Sequence, residues 1–512
     1  MYKNISKISL SAKINKKHLL ASAIVRSINE TDGHFMDFKE IPGPKSYPII
    51  GSMYNYLPFI GDYNAESLDK NAWLNWKQYG PLVREDILPG TSLLHVYDPD
   101  DIEAMFRQEG RIPARRSHLA MLHYRIRKPS VYNTGGLLAT NGPEWWRLRS
   151  TFQKNFTSPK SVQYYVSHID LVVQQFMTWI QSKKPSNTED FLPYLNRLNL
   201  EIIGKIGLGE TFNSFSEEEL RSKSQSSKMI AAAFDSNSGI FKLDQGFMWK
   251  ILNTPLYRKL AKAQTILESV SKAILLRKAK YFVNNTSDDD MKSLVDTFLE
   301  QPNLDLKDVT GMMVDMLMAA IDTTSYSLSF ALYHLALNPK CQEELHNETR
   351  NLLPDENTPV TSEMLSKAIY LRCCIKESLR LNPVSIGVGR VLQKDIVLRG
   401  YLIPTNTVIV TQNLIASRLP QYVKNPLAFN PRRWQRDCDS YENLHPFLSL
   451  PFGFGPRSCI ARRLAEQNMC ITLLRMIRHY EIRWNGGPLG IRSHLINKPD
   501  RPIKITLVPR TA

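Results

Sequence analysis

One stretch limits what this chain can become: Pro451-Phe-Gly-Phe-Gly-Pro-Arg-Ser-Cys459-Ile-Ala-Arg-Arg463. Pro451, Gly453, Gly455 and Pro456 exclude a regular element before Cys459. After it, Ile460, Leu464, Met469, Ile471, Leu474 and Ile477 recur at roughly helical spacing. Cys459 is therefore expected at a helix N-terminus. Unpaired N–H groups and the helix dipole there favour an anion and lower a thiol pKa. The glycines let backbone amides approach the sulfur, which suits a thiolate held by a metal. A buried structural cysteine on a glycine turn is the plainer alternative.

The full pattern Phe452-x-x-Gly455-x-Arg457-x-Cys459 resembles the haem-binding loop of the cytochrome P450 family. The resemblance implies that Cys459 is the axial thiolate of haem b iron, a ligand that favours O–O cleavage. It implies a mainly α-helical fold with a small β region, built as a single haem domain. The family's usual glycine two residues after the cysteine is Ala461 here.

A length of 512 residues would by itself suggest several domains. One catalytic domain over 46–512, after a proline-rich lead-in at 30–45, is what the resemblance implies. Six cysteines (341, 373, 374, 438, 459 and 470) in so long a chain do not make a disulfide framework. The net charge of +16 admits nucleic acid, an anionic membrane or an acidic protein as partner. No nucleic-acid-binding motif is present, so no nucleic acid is expected.

Residues 1–29 carry Lys3, Lys7, Lys13, Lys16, Lys17 and Arg26, five serines and no acid. No apolar run there is long enough to span a bilayer. The segment reads as a mitochondrial presequence, with a basic tail as the alternative. Without its six cations the chain still carries +10.

Pro143-Glu-Trp-Trp-Arg-Leu-Arg149 predicts a helix with proline in its first turn. Trp145 and Arg149, four apart, share a face. Alone they read as a core tryptophan and a surface arginine. The resemblance assigns both to a haem propionate, for which arginine is the natural bidentate partner. Arg390 and Arg457 are further propionate candidates.

Asp305 reads as the N-cap of a helix running to Asn338, before Pro339. Its centre, Ala319-Ala-Ile-Asp322-Thr323-Thr324, interrupts an apolar run with an acid and two hydroxyls. A hydroxyl bonded back to its own helix is the simplest reading. By resemblance this helix crosses over the haem, and Asp322 and Thr323 match the family's acid–threonine pair, which implies proton relay to dioxygen. Ala320 stands where many members have glycine.

Glu377-x-x-Arg380 lies on a helix ending at Asn382-Pro383, and Phe429-Asn-Pro-Arg-Arg433-Trp434 follows. Spacing alone describes a surface pair worth little. The resemblance implies that Glu377, Arg380 and Arg433 form a buried structural triad. Residues 80–105 read as short strands around Pro89-Gly90, and 388–410 as strands with a turn at Arg399-Gly400. Phe241, Phe247, Met248, Trp249, Ile251 and Leu252 lie among lysines and arginines between 242 and 262. They read equally as ordinary helix packing and as a membrane-dipping surface.

The family's motifs occur in order over roughly 40–512, which implies monooxygenation: one oxygen atom enters an unactivated C–H bond and the other leaves as water. A haem-thiolate isomerase or dehydratase and a non-catalytic haem binder are the other classes, and the Asp322-Thr323 pair argues against the isomerase. Ile112-Pro-Ala-Arg-Arg-Ser-His118, Val131-Tyr-Asn-Thr-Gly-Gly-Leu-Leu138 and Asn141-Gly-Pro-Glu-Trp-Trp-Arg-Leu-Arg-Ser150 resemble the insect mitochondrial steroid hydroxylases, above all those acting on C22 of the ecdysteroid side chain. That implies a sterol substrate and peripheral contact with the mitochondrial inner membrane on its matrix side; another steroid or a xenobiotic is the alternative. It also implies an adrenodoxin-like ferredoxin as electron donor. Arg372 and Lys376, and Arg462 and Arg463, are its expected docking cations; internal ion pairs are the alternative use of them.

Overall fold

The computed structural model describes residues 35–57, 59–88, 90–246, 248–284 and 291–510. The expected presequence lies outside them. The chain forms two compact units. Of the described residues, the first comprises those up to Arg116, Ile386–Pro426 and Leu444–Arg457; the second comprises those of Ser117–Ser385, Leu427–Asn443 and from Ser458 on.

The first unit holds the β region. Strands β1 (Leu82–Leu88), β2 (Thr91–Val96), β3 (Gly389–Val391) and β6 (Val408–Thr411) form a sheet in the order β1-β2-β6-β3. β1 and β2 are antiparallel, with Leu82 opposite Val96. β2 and β6 are parallel, with Leu93 opposite Val408. β4 (Ile396–Leu398) and β5 (Tyr401–Ile403) make a hairpin turned at Arg399 and Gly400, at φ 52° and 81°. Two left-handed residues match the twist of the flanking strands. The expected strand region stops short of residue 105, because Pro99–Arg107 is a helix. Asp98 caps it by accepting from Asp100 N at 2.9 Å. Ile102, Met105 and Phe106 of that helix enter the core with Leu94, Val96, Leu398 and Ile409.

The second unit is mostly helical. The helices needed below are α1 (Gly142–Thr157), α2 (Leu192–Ile202), α3 (Gln225–Asp244), α4 (Pro255–Asn284), α5 (Leu306–Leu337), α6 (Ile369–Leu381) and α7 (Arg462–His479). Two further strand pairs are β7 (Tyr480–Trp484) with β10 (Ile505–Pro509), and β8 (Ile491–Ser493) with β9 (Asn497–Pro499). α5 begins where its sequence predicts. The Asp305 side chain accepts from Lys307 N at 2.9 Å and Asp308 N at 2.8 Å. It runs 32 residues, about 48 Å at the helical rise. It is apolar nearly all round, as a helix enclosed on every side must be. All six cysteines are free. Among the described residues no helix is long and apolar enough to cross a membrane.

Candidate active site

Cys459 precedes α7 by three residues rather than opening it. Helical geometry starts at Arg462, with Ala461 as N-cap at φ −94°. A β-carbon is at ease at that φ, so alanine serves where a glycine is usual. Gly453 and Gly455 of the same loop are different. Their φ values of 72° and 68° are left-handed, where only glycine sits without strain.

Cys459 retains solvent-accessible surface, yet surrounding protein desolvates its sulfur. Burial is the largest influence and raises the thiol pKa; the Ala461 N–H, Arg149 and Arg462 pull it down without overcoming it. The lowered thiol pKa expected from the sequence is thus corrected. Desolvation outweighs the amide and the two arginines. A bound metal ion is the stronger influence that removes a thiol proton outright.

Arg149 lies in the same unit on α1 and is buried, as is Trp145 one turn earlier. Its Nε donates to Gln153 Oε1 and its Nη1 to Ser458 O, both at 2.8 Å. Burial pushes its pKa down to about 10, and the charge pulling it back is that of Cys459. Among the described residues no carboxylate pairs with it. A buried guanidinium lacking a carboxylate is a position for an external anion.

Arg390 and Arg457 belong to the first unit and are also buried. Arg390 has an anion already. Glu109 pairs with its Nε, while Phe454 O and Gly389 O accept at 2.9 Å. Arg457 Nε donates to Pro113 O at 2.9 Å. Burial holds the Glu109 carboxyl above its ordinary pKa, with Arg390 and Arg457 opposing. Glu109 escaped the sequence reading because it stands 281 positions from Arg390.

From 308 to 332, α5 is buried at every position except Ala319, Ala320 and Thr323. Those three share one face, so a single strip of the helix centre opens to accessible space. Thr323 Oγ1 donates to Ala319 O at 2.6 Å, the back-bonded state of the simplest reading. Asp322 turns the other way. It is 1% exposed and accepts from Asn237 Nδ2 of α3 at 3.0 Å. Burial raises its carboxyl to about 7; Asn237 and Lys498 limit the rise.

Glu377, Arg380 and Arg433 meet inside the second unit. Glu377 Oε1 lies 2.8 Å from Arg380 Nη2 and 2.9 Å from Arg433 Nε. Two members that the sequence did not disclose complete the cluster. Trp434 Nε1 donates to Glu377 Oε2 at 2.9 Å, and Glu442 pairs with Arg433.

The four expected docking cations differ in availability. Lys376 is exposed, its ammonium 5.9 Å from the centre of the Trp434 ring. Arg372 donates to Leu365 O at 2.6 Å and Ser366 O at 2.9 Å, capping the short helix Ser362–Lys367. Arg462 pairs with Glu466 at 3.0 Å, and Arg463 donates to Thr157 O. Of the apolar group at 241–252, Met248, Ile251 and Leu252 are exposed and Trp249 is buried. Phe247 lies outside the described residues.

A cysteine loop before a helix, a long helix with one open strip that carries a threonine and a buried Glu–Arg–Arg cluster together describe a haem-thiolate fold. The family model for Cytochrome P450 matches residues 41–507, and the chain belongs to that family. It is a P450 monooxygenase, and its cofactor is haem. It is 44% identical over 474 residues to Cytochrome P450 302a1, mitochondrial, of Drosophila melanogaster, covering 92% of this chain and 95% of that protein. Similarity extends to Cytochrome P450 12b1, mitochondrial, of Drosophila acanthoptera (29% over 479 residues; 90% and 88% covered). It extends also to Ecdysone 20-monooxygenase of Drosophila melanogaster (26% over 489 residues; 92% and 88% covered).

Proposed function

We propose that this protein is a mitochondrial sterol hydroxylase that oxidises C22 of the ecdysteroid side chain with electrons from an adrenodoxin-like ferredoxin. The 44% identity along nearly the whole of Cytochrome P450 302a1, mitochondrial, carries the reading. The similarity to a protein named Ecdysone 20-monooxygenase supports the steroid class. The test is to incubate the purified protein with ferredoxin, its reductase and a sterol precursor, and to identify the product. A C22-hydroxylated sterol that forms only with ferredoxin and dioxygen together is the expected result. Turnover without electrons would mean an isomerase or dehydratase.

Haem, when bound, supplies the oxidising chemistry. Cys459 offers it a thiolate, with the Ala461 N–H directed at the sulfur. Trp145 and Arg149 would hold a propionate, for which the buried guanidinium is the natural partner. By resemblance Arg390 and Arg457 of the first unit are further propionate candidates, Arg390 with Glu109 already paired to it. Thr323 and Asp322 manage protons. The threonine hydroxyl stands on the one open strip of α5, and the acid beside it has a pKa near neutrality, where a group both gives and takes a proton readily. In Thr323→Ala, haem and substrate binding should persist while electrons leave as hydrogen peroxide. Measured product per electron should fall steeply, since loss of a positioned general acid costs about 10²–10⁴-fold; parental coupling would defeat the assignment.

The electron donor docks on basic residues of α6 and α7, with Lys376 the most available. Charge steering of this kind weakens as salt rises. Reversing Lys376 to Glu should raise the apparent Kd for ferredoxin and flatten its salt dependence, with haem content retained. If Lys376→Glu and Arg463→Glu both leave the salt series unchanged, the docking face lies elsewhere.

Residues 1–29 direct import, residues 30–45 lead into the haem domain, and residues 46–512 form it. Fused to a soluble reporter, 1–29 should carry it into mitochondria; a cytosolic reporter would refute this. The inner membrane is met peripherally on the matrix side, by Met248, Ile251 and Leu252 with Lys250 and Arg258 around them.

A further inference from the structure

Asp322 and Thr323 are neighbours in sequence but lie about 100° apart around α5, and the structure separates their surroundings. Thr323 belongs to the open strip. Asp322 is hydrogen-bonded to α3, and the groups that oppose its burial are Asn237 of that helix and Lys498 of β9. Asn237 of α3 donates one amide to Asp322 Oδ2 at 3.0 Å and to Met318 O at 3.3 Å. That amide spans one turn of α5 at the acid. Lys498 of β9 is the charged group that acts on the carboxylate. Its ammonium sits 4.7 Å from the centre of the Phe234 ring, and Phe234 is one turn before Asn237 on α3.

Three further ionisable groups stand near these elements. Tyr326, one turn further along α5, has its phenol pushed far up by burial and by Asp322, so it stays neutral. His494, between β8 and β9, turns its ring to Phe234 and Phe241, with centroids at 5.9 and 6.3 Å. Asp235 of α3 pairs with Lys259 of α4 at 2.8 Å.

We propose that Asn237 and Lys498 are positioning residues that govern when Asp322 holds its proton, each from an element outside α5. The proposal rests on the reading of Asp322 as a proton relay. Burial alone favours the neutral acid, and a weaker acid surrenders its proton more slowly. The amide hydrogen bond and the ammonium both favour the carboxylate and bring the group back toward neutral pH. The balance depends on α3 and the β8–β9 hairpin keeping their places, because Phe234 and Phe241 of α3 pack on His494 and Lys498. A displacement of either element would alter the acid strength of Asp322 without touching Thr323.

The test is an infrared pH titration of the haem-loaded enzyme. The protonated-carboxyl band that disappears in Asp322→Asn identifies the group. Lys498 and Asn237 both lower the Asp322 pKa, so removing either must raise it. In Lys498→Met the midpoint should move up by about one pH unit; in Asn237→Leu it should also move up; in Lys498→Arg it should stay. Product per electron, followed over the same range, should lose its alkaline limb at correspondingly higher pH in Lys498→Met. Lys498 is half-buried on a short strand, so this variant decides the matter even if Asn237→Leu misfolds. A midpoint unmoved in Lys498→Met overturns the inference. Parental electron recovery in Asp322→Asn would overturn the relay reading instead, with the infrared midpoints still judging the two residues separately.

Discussion

Glu377→Gln is expected to cut recovery of folded, haem-containing protein sharply and to lower its Tm. The glutamate takes five hydrogen bonds. Oε1 accepts from Arg380 Nη2 at 2.8 Å, Arg433 Nε at 2.9 Å and Asn430 N at 3.1 Å. Oε2 accepts from Arg380 Nε and Trp434 Nε1, both at 2.9 Å. Glu377 and Arg380 are fully buried and Arg433 nearly so, at 1%. Glutamine keeps the shape and removes the charge, leaving two buried guanidiniums with one carboxylate between them, that of Glu442 on Arg433. Breaking such a group from one side costs about 3–5 kcal/mol, against a total stability of about 5–15 kcal/mol. Burial alone would raise the Glu377 pKa; hydrogen bonds and charge from Arg380, then Arg433, overcome it and hold the carboxyl below its ordinary value. Stability from a depressed carboxyl is complete above the unfolded pKa and fades only as pH falls through the folded one. The deficit should therefore be constant between pH 6 and 8. Haem content per purified protein and Tm check this, with Lys376→Gln on the same helix as the exposed control. Parental yield and Tm in Glu377→Gln would show that the cluster does not bear the load assigned to it.

The second large effect is expected at Cys459. In Cys459→Ser the thiolate-type carbon-monoxide difference spectrum should vanish, because a serine hydroxyl cannot supply a thiolate. Cys470 is the instructive control. It is buried on α7, and burial pushes its thiol up to about 12, the behaviour of an inert core cysteine. Cys470→Ser should keep the spectrum. The reverse pattern would place the ligand at 470 and overturn the assignment of Cys459.

Much of this was legible in the residues because it depends on local chemistry. Asp305 caps α5 because an acid at that position reaches the first unpaired amides within three residues. Arg399-Gly400 turns a hairpin because both can adopt left-handed φ. Glu377 and Arg380 share a face because three residues make most of a helical turn. The motif at 451–463 identified the family for a similar reason, since a thiolate loop needs glycines at fixed offsets from its cysteine.

What the residues could not disclose is separated along the chain or set by burial. Arg390 looks available until Glu109 closes on it. Trp434 and Glu442 complete the triad through contacts that no periodicity announces. The helix N-terminus predicts a lowered thiol pKa at Cys459, while the enclosing protein raises it.

The sequence alone determined the haem-thiolate loop, the extent of the long helix and the class of chemistry, since each rests on residue type at short spacing. Tertiary structure alone decided that Thr323 opens onto accessible space and that Asp322 is turned to Asn237, 85 positions away. The acid strength of a buried carboxylate is a sum over every group around it, and only folding brings those groups together.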